Sequence, residues 1–101
     1  MSESTALPEP TADSVPSVGP GFRLQWEPAQ DAHVLLFPEG MVKLNQSAGE
    51  ILKRCDGTRD IDMLIKDLQQ AFNAQGIGDE IRLFVAEAER RGWLESAEAA
   101  T

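Results

Sequence analysis

VLLFPEGMVKLNQSAGEILKRCDG, residues 34–57, passes from strand chemistry to helix chemistry within one short segment. Val34, Leu35, Leu36 and Phe37 form a continuous apolar run, the pattern of a strand covered on both faces. Pro38, Glu39 and Gly40 then supply a turn, since Pro38 fixes φ and Gly40 tolerates positive φ. Met41, Val42, Lys43 and Leu44 read as a further strand, and so short a loop leaves little but antiparallel pairing. Asn45 follows as an N-cap, worth about 1 kcal/mol over alanine. Ser47 with Glu50 also fits a capping box one turn later, which leaves the helix start open. Ala48, Ile51, Leu52 and Cys55 recur at i, i+3, i+4 and i+7 as one apolar stripe. Gly57 predicts the stop.

The neighbouring segments extend this pattern. In FRLQWE, residues 22–27, Phe22, Leu24 and Trp26 share one face of a strand, while Arg23 and Gln25 share the other. PAQDAH breaks it as a loop. After Gly57, Asp60 can cap a second helix whose stripe is Ile61, Leu64, Ile65, Leu68 and Phe72, and NAQGIG ends it. Asp79 is expected to open a third helix with Ile81, Phe84, Val85 and Ala88 inward. Arg90 and Arg91 fall in its last turn, where they suit the helix dipole, and Gly92 closes it. Trp93 and Leu94 return as a short extended piece. Three strands followed by three helices make an α+β domain, a small three-stranded antiparallel sheet followed by a three-helix bundle. The helices with their strand wing resemble a winged helix-turn-helix.

One domain is expected from 101 residues. Residues 1–20 hold four of the six prolines and only Leu7, Val15 and Val18 as sizeable apolar groups. Such a composition does not offset the entropy of ordering, so residues 1–20 read as a disordered Pro-rich arm or linker. Residues 21–95 are the expected folded domain, and residues 96–101 a frayed tail. The formal net charge is −8. The arm and tail carry four of the acids, leaving about −4 on the domain. That argues against nucleic acid, which needs a basic footprint, and against anionic membrane surfaces. No apolar run reaches transmembrane length and no signal peptide is visible. With Cys55 as the single cysteine, a cytoplasmic location is the expectation.

The residues that could carry chemistry are few. Cys55 lies on the apolar stripe near a helix C-terminus, which raises rather than lowers a thiol pKa, so a small buried hydrophobe is the simpler reading. His33 follows a polar loop and reads as a solvated loop residue, with Asp31 too little to complete a metal site. Asp56, Asp60 and Asp62 lack the order of a calcium loop and read as caps and a solvated face. There is no triad, zinc set or phosphate loop, and neither enzyme activity nor a cofactor is expected. Two features stand outside this picture. Leu83 falls about 160° from the centre of the third helix's stripe, with Ala86 and Arg90 near it, and Met63 does the same on the second helix. A partner-facing surface, overlap with the sheet, or an oligomer contact would each explain them. The third strand is a candidate sheet edge, open to pairing with another chain. On it, Lys43 is either edge protection or a contact for an acidic peptide.

RLQWE, LLFPEGMVKLNQSAGEILKRCDG, the LIKDL run and RGWL together resemble the PqqD family of pyrroloquinoline quinone biosynthesis, over residues 22–94. Phe37 stands where that family usually has an aromatic. The resemblance implies a winged helix-turn-helix turned peptide reader, a RiPP recognition element. It implies a non-catalytic peptide chaperone that binds the precursor peptide PqqA by strand addition and presents it to the radical S-adenosylmethionine enzyme PqqE. The iron–sulfur clusters would belong to PqqE. By position, the resemblance places the peptide against Met41, Val42, Lys43 and Leu44, with Leu83, Ala86, Glu87 and Arg90 on the third helix. Residues 1–20 would suit fusion to, or contact with, another pathway protein. A structural tethering subunit and a winged-helix DNA-binding protein are the alternatives, the second opposed by the acids Asp79, Glu80, Glu87 and Glu89 on the third helix.

Overall fold

The elements run β1 (Ser14–Val18), β2 (Arg23–Glu27), β3 (Ala32–Phe37), β4 (Gly40–Lys43), α1 (Gln46–Lys53), α2 (Ile61–Ala71), α3 (Gly78–Arg90) and β5 (Leu94–Glu98). They come from a computed structural model that describes residues 14–98. β2, β3 and β4 form the expected three-stranded antiparallel sheet, and three helices follow it. The fold class is therefore the α+β arrangement read from the pattern.

Register settles the faces of the sheet. Leu24 lies opposite Leu35, and Leu35 opposite Val42, so these three form one row across the strands. This face meets the helices, and Leu35 is fully buried. Phe22 and Phe37 extend the same face with ring centroids 5.5 Å apart. The other face carries Arg23, Gln25, Met41 and Lys43 around Val34, which is itself buried. The turn between β3 and β4 is tighter than the three residues expected. Phe37 pairs with Gly40, so Pro38 and Glu39 alone form the tip, and Gly40 takes positive φ inside the strand.

Both predicted caps at α1 and α2 form. The Ala48 N–H donates to Asn45 Oδ1 at 2.8 Å, which places the start of α1 at Asn45 rather than at Ser47. The Met63 N–H donates to Asp60 Oδ1, also at 2.8 Å. The third helix differs from expectation. It begins at Gly78 behind Ile77 with no side-chain cap, and Asp79 sits in its first turn, where its charge suits the dipole. α1 ends at Lys53, short of the Gly57 stop. The helical stripes meet in one core of Leu35, Leu44, Ile51, Leu52, Ile61, Leu64, Leu68, Ile81, Val85, Ala88 and Leu94, with Cys55 among them.

The largest departure is at the N-terminus. Residues 1–13 lie outside the described residues, but Ser14–Val18, expected within the arm, is a strand. It pairs antiparallel with β5, Ser14 opposite Glu98 and Val18 opposite Leu94. β5 likewise includes Ser96 and Ala97, expected to fray; residues 99–101 lie outside the described residues. Tertiary contacts supply what composition lacked. Pro16 is fully buried, its carbonyl accepts the Gly57 N–H at 3.0 Å, and Val18 packs on the core. Proline donates nothing to a ladder, so Pro16 marks this stretch as non-strand when read alone.

Candidate strand-docking edge

The free edge of the sheet follows from which backbone groups β3 already uses. The Leu44 N–H donates to the His33 carbonyl at 3.0 Å, so His33, Leu35 and Phe37 turn their backbone groups toward β4. Hydrogen-bonded pairs alternate along an antiparallel ladder. Val42 therefore points inward at Leu35, while Met41 and Lys43 direct their N–H and C=O groups away from the sheet. β4 is an edge strand of that sheet. It is also held firmly. Leu44 is buried in the core, and Asn45 begins α1 at once.

The sequence-predicted residues divide by exposure. Met41 is half-exposed, Lys43 is exposed, and Val42 is partly buried against the core. On α3, Leu83 is 62% exposed, the most open large apolar side chain among the described residues. Two residues do not present side chains to solvent: Leu44 is core, and Ala86 is 5% exposed. α3 is covered over a wider arc than its single stripe implies, because β5 returns against it. Glu87 and Arg90 are joined, with Arg90 Nη2 2.6 Å and Arg91 Nε 2.8 Å from Glu87 Oε2. The hydrogen bond from Arg90 holds the Glu87 carboxyl below the usual carboxylate range, and the same contact raises Arg90. Among the described residues no hydrogen bond or ion pair links the β4 set to the α3 set. They share a core instead, Val42 and Leu44 packing into the cluster that Ile81, Val85 and Ala88 enter from α3.

His33 is not a solvated loop residue. It lies in β3, half-buried, 5.1 Å from the Trp26 ring in an edge-on contact, with α1 close over it. A cavity of about 470 Å³ opens beside this pair, lined also by Asp31, Lys43, Asn45 and Glu50. It adjoins the end of β4. Alternation puts Trp26 on the inner face, but nothing in the sequence shows that the strand end leaves it half-exposed.

The other candidates have structural roles. Cys55 is buried, its Sγ–H donates to the Ile51 carbonyl at 3.2 Å, and burial pushes the thiol up to about 12, with Asp56 adding to the rise. Asp56 accepts from Thr58 and pairs with Arg59, Asp60 caps α2, and Asp62 pairs with Arg82 across to α3. Among the described residues no group of three or more His, Cys, Asp or Glu side chains could hold a metal ion, and no helix is long and apolar enough to cross a membrane.

A three-stranded antiparallel sheet with β4 at its edge, backed by three helices, defines the fold class as α+β. It matches the solution structure of the PqqD truncation of Methylobacterium extorquens PqqCD, described as a stand-alone RiPP recognition element. The TM-score is 0.69 and the identity 29%, over 92% of this chain and 98% of that one. The heterocyclase TruD shares the fold over 87% of this chain and 12% of its own, with a TM-score of 0.63 and 17% identity. The sequence profile of Coenzyme PQQ synthesis protein D (PqqD) matches residues 32–94, and the chain belongs to that family. Among its relatives, the PqqA binding protein of Pseudomonas aeruginosa PAO1 is 53% identical over 87 residues, 85% of this chain and 95% of that protein. The PqqA binding protein of Azotobacter vinelandii is 46% identical over 90 residues, 88% of this chain and 98% of that protein.

Proposed function

We propose that this chain binds the PqqA precursor peptide as an added strand on β4 and presents it to PqqE without doing chemistry itself. The observation that carries this reading is the pair of outward-facing backbone positions at Met41 and Lys43, on a strand whose inner side is fixed by Leu35 and Leu44. The names of the relatives supply the peptide. A strand so fixed loses little freedom on pairing, so the entropy cost falls mainly on the flexible peptide. Exposed side chains then read sequence. Met41, Lys43, Leu83 and the Glu87–Arg90 pair are placed to do so, while Val42, Leu44 and Ala86 support the strand and helix from behind. Cys55, buried and protonated, takes no part. Residues 1–13 would engage another pathway protein, as the PqqCD neighbour carries its PqqD portion in a longer chain.

Backbone amide shifts of the isotope-labelled protein, followed while a PqqA peptide is added, test this. Saturating shifts at Met41, Lys43 and α3 are expected. Saturating shifts elsewhere would move the site, and no shifts at high peptide concentration would refute direct binding. Capture of PqqE is expected to rise when the peptide is present.

A further inference from the structure

Lys43 gives the edge of the sheet a chemical preference. Arg23, Lys43 and Lys66 are the lysine and arginine side chains without an ion pair among the described residues, and of these Lys43 alone lies on β4. The register fixes what surrounds it. On the sheet face turned away from the helices, Gln25, Val34 and Lys43 form one row across the strands, and Arg23, Leu36 and Met41 form the next. Gln25 and Val34 carry no charge, so nothing within its row answers the Lys43 ammonium. Lys43 is exposed and Met41 half-exposed.

A strand added antiparallel to β4 extends each row by one residue. Met41 and Lys43 are outward-bonding positions, so each takes a directly opposed residue as a hydrogen-bonded pair, and opposed side chains stand on the same face about 4.5–5.5 Å apart at Cβ. The guest residue facing Lys43 continues the row of Gln25 and Val34. The guest residue facing Met41 continues the row of Leu36, and the one between them turns to the helix side beside Val42. Antiparallel order puts the residue facing Lys43 first and the one facing Met41 third.

Charge decides what stands first. A carboxylate opposite Lys43 makes a favourable cross-strand pair, and a base there makes a repulsive one. With a net charge of −8 the chain repels an acidic peptide as a whole, so it holds a carboxylate best where a cation stands unanswered. An edge lysine also opposes pairing with strands that offer it no partner. Protection of the edge and choice of guest are then one property of one side chain.

We infer that β4 selects a peptide segment with an acidic residue facing Lys43 and an apolar residue two places later facing Met41, both on the sheet face away from the helices. The inference rests on the docking reading of β4 and adds to it the register and the chemistry of the guest.

Titration of the isotope-labelled full chain with PqqA peptides in which each acidic residue in turn is replaced by lysine tests this, read from backbone amide shifts. One replacement should weaken binding about tenfold and more than the others do. Lys43→Glu should recover the binding of that peptide and weaken the parent peptide about tenfold. Lys43→Gln removes the charge without reversing it and should weaken the parent about threefold. Alanine placed two residues after that acid should cost the wild-type chain more binding than it costs Met41→Ala. Lys43 is exposed, so its variants should keep the wild-type spectrum away from β4. Shifts at β4 with every acid replaceable at no cost, or with a loss that Lys43→Glu does not recover, would overturn this inference alone. Saturating shifts that leave β4 untouched would refute the docking reading and this inference with it.

Discussion

Gly49→Ala should destabilise this domain, although alanine is the better helix former. Gly49 is buried in the middle of α1. A Cβ there would lie 2.9 Å from His33 Nδ1, 3.3 Å from its Cβ and 3.4 Å from its Cγ. Ordinary carbon contacts are about 3.5–4.0 Å, so the overlap is roughly half an ångström at the ring nitrogen. Rotation of the imidazole into the neighbouring cavity relieves the ring contact but not the 3.3 Å approach to Cβ. Trp26 stands against the ring, and the His33 carbonyl holds the Leu44 N–H. Overpacking costs about 1–3 kcal/mol, and the gain in helix propensity is about 1 kcal/mol. The net effect is a loss of about 0–2 kcal/mol. In a His33→Ala background the ring contacts are absent and only the 3.3 Å approach to Cβ remains, so the same substitution should be close to neutral or stabilise by up to about 1 kcal/mol. Urea unfolding of the four proteins, followed by tryptophan fluorescence and circular dichroism, measures the coupling, expected at about 1–3 kcal/mol. Equal stabilisation by Gly49→Ala in both backgrounds would refute the reasoning.

Leu83→Asp should leave the fold intact, because Leu83 is mostly exposed, and weaken peptide binding at least about tenfold if it lines the docking face; calorimetry with the peptide and a circular dichroism spectrum check the two halves. Asn45→Ala removes the bond to the Ala48 N–H and should cost about 1 kcal/mol in urea unfolding. Leu64→Ala empties a fully buried position and should cost about 2–5 kcal/mol in the same assay. The Cys55 thiol has a folded pKa of about 12 against about 8.5 unfolded, so its contribution is intact below about pH 8.5 and is lost as pH rises toward 12. Unfolding free energy should fall by about 1.4 kcal/mol per pH unit across that window, and Cys55→Ala should remove this slope.

Local signals carried most of the architecture. Asn45 and Asp60 name their helices because a cap is chemistry between near neighbours, and the stripes of α1 and α2 name their buried faces for the same reason. β1 was not legible, since Pro16 argues against a strand and what orders it, β5 and Gly57, lies far along the chain. His33 was misread at the boundary of β3: only the approach of α1 at Gly49 shows that it is packed. At the candidate site, Leu83 could be read from a helical wheel as off the stripe. Ala86 could not, because its burial depends on elements beyond α3. The outward direction of Met41 and Lys43 required the register between β3 and β4, which no pattern in either strand specifies.

The ribbon of β1 and β5 has a consequence for how such a domain is carried. Ser14 stands opposite Glu98, so the described polypeptide enters and leaves at one place. A chain with adjacent entry and exit can be inserted into a surface loop of a host protein as a cassette, without stretching either. It can also be circularly permuted, with a short linker from Glu98 to Ser14 and new termini in the exposed turn at Gln75 and Gly76. The same ribbon makes entry and exit one mechanical clamp. Tension applied across the two would load the β1–β5 hydrogen bonds first and open the pair one rung at a time, while the sheet carrying β4 remained unloaded.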